Sequence, residues 1–188
     1  MNHLKEIPSP PEKPPRRYAQ GLKLPAYRFI PGVHPHPIKD PLGHSHQKPH
    51  LPAWTLVLNP SSYSTHLGYL YGIDLFNQRY WWECHELFEG IWKATNSTDT
   101  KNALQSLIQI AAILLNTWIG RNKEKAVLNL FQSVEEKTKG LPTPYLGISF
   151  SNLIKETRAW VNAVNKKELD KSSLNEKIPC IILERMES

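Results

Sequence analysis

Asn77-Gln78-Arg79-Tyr80-Trp81-Trp82-Glu83-Cys84-His85-Glu86-Leu87-Phe88-Glu89-Gly90-Ile91-Trp92 is the stretch on which the reading of this chain turns. Three Trp, three Glu and one His fall between Trp81 and Trp92. An α-helix advances about 100° per residue. On that wheel Trp81, Cys84, Phe88 and Trp92 gather on one side, and Leu87 and Ile91 continue the face. A segment with so wide an apolar face is an amphipathic helix, predicted over Tyr80 to Ala94, that buries this face against other helices. His85 sits at the border beside Trp92, and Glu89, four residues on, stacks with it. Glu86 and Glu83 point progressively towards the opposite side. An imidazole beside a carboxylate can be oriented by it, act as a general base or join a metal site. The plainer alternative is a border His whose carboxylate partner only helps to fix helix packing. His85-Glu86-x-x-Glu89 lacks the second His that a zinc-protease motif requires at its last position, which argues against metalloprotease chemistry.

The segment from Lys101 to Ile119 is apolar nearly all round, so it predicts a largely buried helix. Gln105, Gln109 and Asn116 nevertheless share one stripe with Ala112, within roughly 40° on the same wheel. Buried amides need partners. The turn Asn96 to Thr100, with Asp99 or Thr100 as N-cap, makes the two helices an antiparallel hairpin. Gln105 and Gln109 are therefore expected to face His85 and Glu89 as orienting groups. Asn116, Tyr80 and Trp92 complete the candidate binding set. The alternative is a buried hydrogen-bond network that specifies helix register. Helical periodicity also marks a segment from about Thr65 to Gln78 or Arg79. Two more follow: Lys123 to Lys139, capped by Asn122 and stopped by Gly140-Leu141-Pro142, and Ser151 to Asn165. The predicted fold is all-α, a compact bundle of about five helices in antiparallel hairpins.

The 188 residues suit one domain with an appended arm. The net charge of +6 is concentrated in residues 1–50, which carry eight Lys/Arg against three Asp/Glu, and 51–188 are nearly neutral. Thirteen of the sixteen Pro precede residue 61, which separates an irregular N-terminal part from the helical remainder. We divide the chain into a disordered leader (1–23), an extended Pro/His-rich arm packed on the domain (24–62), the helical domain (63–165) and a charged tail (166–188). Within the arm, Pro35, Pro37 and Pro41 exclude a regular helix. Around Trp54 to Leu58 a crossing segment or isolated strand is expected. Within the tail, the apolar strip Ile178 to Leu183 is expected to dock. The arm brings His36, Asp40 and His44 as candidate metal ligands that could join His85. Neutral imidazoles and carboxylates suit a divalent ion of the zinc or iron type. Loop His residues can equally bond backbone, and Asp40 before Pro41 is a common turn opener.

A basic arm can touch nucleic acid, but this one is interrupted by Pro and carries no recognised motif, which argues against that partner. Two Cys argue against a disulfide scaffold. Residues 1–20 do not read as a signal peptide, and the longest apolar run, Ile108 to Leu115, is too short to span a bilayer. The expected location is the cytoplasm, or the plastid stroma in a eukaryote.

Several segments together resemble an uncharacterised family, domain of unknown function 309, of bacteria, archaea and plastids. They are Asp74-Leu75-Phe76-Asn77, Tyr80-Trp81-Trp82-Glu83-Cys84-His85-Glu86 with Glu89 and Trp92, Gln105-Ser106-Leu107-Ile108-Gln109-Ile110-Ala111, and Gly120-Arg121-Asn122 with Ala126. Tyr27 to Gly32 and His36-Pro37 to Ser45 are similar to the arm of its longer members. The family usually has Gly where Ser106 stands. The resemblance covers about residues 25–165 and implies a compact helical fold without implying an activity. Two functional classes follow. One is an enzyme, metal-dependent and hydrolase-like, with His85, Glu86 and Glu89 as ligands or acid/base groups. The other is a non-catalytic helical interaction or oligomerisation module, a homo-oligomer if Trp82 is an interface anchor.

Overall fold

A computed structural model describes residues 15–48, 56–121, 124–166 and 171–184. The leader residues 1–14, the expected cap Asn122, and Trp54 and Thr55 of the expected crossing segment lie outside the described residues. Among those described, the regular structure is helical. A short 3-10 segment, Pro60–Thr65, precedes α1 (Leu67–Asn77), α2 (Trp81–Ala94), α3 (Thr98–Trp118), α4 (Glu124–Thr138), α5 (Phe150–Lys166) and a short α6 (Lys171–Glu176). The all-α bundle predicted from periodicity is therefore observed, with five long helices. The sixth, in the charged tail, was not anticipated. An isolated bridge between Tyr145 and Ile148 is the extended pairing recorded. Residues 57–58, part of the expected crossing segment, are irregular.

The helix ends follow local chemistry. His66 caps α1, its Nδ1 accepting the Tyr69 N–H at 2.9 Å. Ser97, rather than the expected Asp99 or Thr100, caps α3, so that helix begins a turn earlier than its apolar pattern. Asp99 then lies in the first turn, where a carboxylate favours the positive end of the helix dipole. Arg79 closes the short α1–α2 connection at φ 67°, an unusual conformation for a non-glycine residue. Its guanidinium anchors that corner by bonding the side chain and carbonyl of Asn175. Burial lowers the Arg79 pKa to about 10.

Helix α3 packs against α2, α4 and α5. Its apolar residues Leu104, Leu107, Ile110, Ile113 and Leu114 are fully enclosed, as its sequence requires. Trp81, Trp118 and Trp160, from α2, α3 and α5, meet with ring centroids 6.3–6.5 Å apart. Helix α1 approaches α2 at Gly72, where a Cβ would stand 2.4 Å from the Phe88 ring. Cys84 and Cys180 are free thiols. No helix among the described residues is long and apolar enough to cross a membrane.

Polar side chains of α1 hold the irregular segments. The Asp74 carboxylate, almost fully buried, accepts the N–H groups of Tyr18 and Ala19 at 2.8 and 2.9 Å and the Arg17 Nε at 3.3 Å. Residues 17–19, placed by sequence in the leader, are thus folded onto α1. Asn77 brackets one residue of the tail, donating to the Ile181 carbonyl and accepting from its N–H. The apolar strip at 178–183 docks through this pair and through buried Ile178 and Ile181. Tyr18 Oη accepts the Leu183 N–H at 2.9 Å, joining the two segments.

Two predictions follow from these contacts. Gly72→Ala should destabilise the fold by about 1–3 kcal/mol in urea denaturation, because the methyl group collides with Phe88 in a packed core. An unchanged midpoint would mean that α1 and α2 separate freely. Burial lowers the His66 pKa from 6.5, so between its folded and unfolded values the unfolded chain binds more protons and stability falls as pH falls. The contribution is complete above about pH 6.5 and is lost below it, as Nδ1 ceases to accept. His66→Asn keeps a capping acceptor without titrating. Its melting temperature should fall less than that of the parent between pH 7 and 5.

Candidate functional site

Helix α2 carries polar groups on two sides. On one, His85, Glu86 and Glu89 project together, each with about a third of its side chain exposed. One ligand atom from each lies within 4.8 Å of the others, an arrangement able to hold a metal ion. The wheel turned Glu86 away from His85, but residues 85, 86 and 89 fit within one turn and their side chains converge. His85 Nδ1 stands 3.5 Å from Glu86 Oε1, too long for a hydrogen bond, and this enclosed nitrogen has no hydrogen-bond partner among the described residues. Glu89 Oε1 is engaged by Lys93 Nζ at 2.6 Å. Trp92 is partly buried beneath Lys101, whose Nζ lies 5.6 Å from the ring centroid.

The expected amide partners do not complete this cluster. Gln105, Gln109, Ala112 and Asn116 do share a half-buried stripe on α3. Gln109, however, turns to α4 and donates to Ser133 Oγ at 3.0 Å, which also accepts Lys137 Nζ at 2.8 Å. Asn116 donates to the Ala112 carbonyl of its own helix. No hydrogen bond links Gln105 or Gln109 to His85 or Glu89 among the described residues. The physical reason is that α3 has neighbours on more than one side. Gln109 thus finds its partner on α4, which a hairpin argument from α2 and α3 alone cannot foresee.

On its other side α2 buries Glu83, a residue the wheel had turned towards solvent. The arm covers it. Glu83 Oε1 accepts the Phe29 N–H at 2.9 Å and lies 3.0 Å from His44 Nε2. The two side chains are only 6% and 5% exposed. His44 Nδ1 in turn lies 2.8 Å from Ser45 Oγ. Tyr27 holds the imidazole from the side, its ring edge-on at 4.5 Å and its Oη accepting the His44 N–H. Arg28 lies over the Tyr80 ring at 5.1 Å and donates to the Gln78 carbonyl. Burial lowers its pKa against the opposing pull of Tyr80 and Glu83. Tyr80 Oη donates to the Pro25 carbonyl, so this candidate binding residue fastens the arm.

Of the candidate metal ligands of the arm, His36 and Asp40 are occupied locally. His36 Nδ1 accepts the N–H groups of Ile38 and Lys39, and Asp40 Oδ1 accepts that of Leu42. Neither these two nor His44 belongs to the one group of potential ligands found among the described residues. The anticipated joining of arm and His85 into one centre is thus not formed. Trp82, expected as an interface anchor, lies edge-on to Phe29 and His36 of its own arm, at 5.0 and 5.4 Å. A Trp beside Glu83 on a nominally solvated face was the sequence signal that something covers it.

Between arm and helices a cleft of about 200 Å³ remains, lined among others by Lys23, His44, Ser45, Lys48, Tyr71 and Glu83. Burial pushes the Tyr71 phenol up to about 12, and it stays a neutral donor to the Lys23 carbonyl. The model of a family described as domain of unknown function (DUF309) matches residues 69–129, which span most of α1, all of α2 and α3 and the start of α4. The chain resembles that family over this region, which includes Glu83 and the His85–Glu86–Glu89 cluster but not the arm. No curated protein and no solved structure matches the chain.

Gly43 sets the loop that presents His44. A Cβ there would lie 2.3 Å from the Pro37 carbonyl oxygen and 2.4 Å from that of His36. Gly43→Ala should therefore loosen the arm, costing about 1–3 kcal/mol in urea denaturation and speeding tryptic cleavage after Lys39. Unaltered cleavage would show that the loop absorbs the methyl group.

Proposed function

We propose that this helical protein binds one divalent metal ion at His85, Glu86 and Glu89 and offers it to solvent for hydrolytic chemistry. The supporting observation is that His85, Glu86 and Glu89 each bring one potential ligand atom within 4.8 Å of the others; in addition, the enclosed His85 Nδ1 has no hydrogen-bond partner among the described residues. Imidazole with carboxylates suits zinc, manganese or iron. One rigid helix supplies all three ligands, so the set is pre-arranged, and positions opposite the helix stay open to water or substrate. An ion with open positions lowers the pKa of bound water and polarises a carbonyl or phosphoryl oxygen. Lys93 opposes binding, since its ammonium group occupies Glu89.

The alternative is a non-catalytic module stabilised by a polar network. The Gln109–Ser133–Lys137 chain between α3 and α4 favours it. Calorimetric titration with zinc and with manganese, beside metal analysis of protein prepared without chelator, separates the two readings. One equivalent is expected, weakened more than about tenfold (~1.4 kcal/mol) in His85→Ala and strengthened in Lys93→Ala. Absence of binding by the parent protein would overturn the metal reading in favour of the module.

A further inference from the structure

The cleft beneath the arm contains a second constellation, independent of the metal cluster. Ser45 Oγ, His44 Nδ1, His44 Nε2 and Glu83 Oε1 form a continuous chain with links of 2.8 and 3.0 Å. As a carboxylate, Glu83 can only accept, and it already receives the Phe29 N–H. His44 Nε2 must therefore carry the proton of that contact. In the neutral imidazole Nδ1 is then the bare nitrogen, directed at the Ser45 hydroxyl. The imidazole is fixed by Glu83 at one end and by the Tyr27 ring at its side. Ser45 is only partly buried and, with His44 and Glu83, lines the cleft. A hydroxyl, a base and a buried carboxylate orienting that base make up an activated-nucleophile arrangement, whatever their order in sequence.

We propose that this cleft is a nucleophilic acyl-transfer site taking a small ester with an anionic group. Ser45 Oγ forms a bond to the carbonyl carbon while its proton passes to His44 Nδ1. The carbon–oxygen bond of the leaving alkoxide breaks, and the alcohol departs with that proton. Water then attacks the acyl-serine, releasing the acid and restoring the Ser45 hydroxyl. Glu83 is a positioning residue, holding the imidazole and balancing its transient charge. The Ser45 N–H is already bonded to the Pro37 carbonyl, so it does not serve the developing oxyanion, and we assign that role to Lys23 and Lys48, the cationic residues of the cleft lining. The same two lysines favour an anionic substrate, and the volume of about 200 Å³ limits it to a short acyl group.

The test is labelling of the full chain with a fluorophosphonate, in the presence of EDTA so that no ion at His85 contributes. Phosphonylation forms an oxygen–phosphorus bond at serine and expels fluoride, and peptide mass spectrometry locates the adduct. One adduct on Ser45 is expected, absent from Ser45→Ala. Glu83→Gln, with folding checked by circular dichroism, should lower the maximal labelling rate at least about a hundredfold. The reagent concentration giving half that rate should be little changed, a split that simple loosening of the cleft would not produce. No adduct, or one that persists in Ser45→Ala, overturns the proposal. A folded Glu83→Gln protein that labels at the parental maximal rate overturns the relay.

Discussion

The Asp74 carboxylate holds residues 17–19, in the irregular N-terminal segment, on helix α1. A buried carboxylate is costly unless it is met by donors, and here the donors are backbone N–H groups of Tyr18 and Ala19 with the Arg17 guanidinium. The same device recurs along the α1–α2 corner: Asn77 brackets Ile181, and Glu83 receives Phe29 and His44. Peptide groups of a segment without secondary structure must be satisfied when buried. The helices supply those partners from side chains. In this way a Pro-rich segment unable to form helix or sheet becomes an ordered cover for one face of the bundle.

That cover gives α2 two chemically distinct sides. The His85 side is partly exposed, and its charges are partly screened by solvent. The Glu83 side is enclosed, so electrostatic interactions there act through a lower effective dielectric. Between them run Trp81, Cys84 and Phe88, fully packed against the core. Burial raises the Cys84 thiol well above its ordinary range, with Glu83 adding to the effect. It is therefore an inert core residue rather than a nucleophile, in contrast to the Ser45 hydroxyl at the cleft.

Legibility of the sequence divides along the same line. The number and type of the long helices could be read from apolar spacing, because α3 is enclosed whichever neighbour touches which side. Gly120 and Gly140, both at positive φ, stop α3 and α4 as a Gly just past a helical pattern suggests. The start of α3 was misread because Ser97 offers its cap before the apolar pattern begins. The convergence of His85 with Glu89 was visible in four-residue spacing. The burial of Glu83 was not, because it depends on residues some 40–55 positions earlier folding back. Periodicity within a helix reports only which side is apolar. It says nothing of a cover built from another part of the chain, and Gln109 illustrates the same limit across α3 and α4.

The bond between Tyr18 Oη and the Leu183 N–H links segments separated by 165 positions. Each is already tethered to α1, the first by Asp74 and the second by Asn77, three residues apart on the helix. Opening either segment leaves the other short of a partner, so the two exchange their protection together as one cooperative unit. Such a unit has few local contacts, and closing it requires the longest loop in the described chain. In refolding, its amides are therefore protected after those of the α2–α3 hairpin, whose contacts are near in sequence.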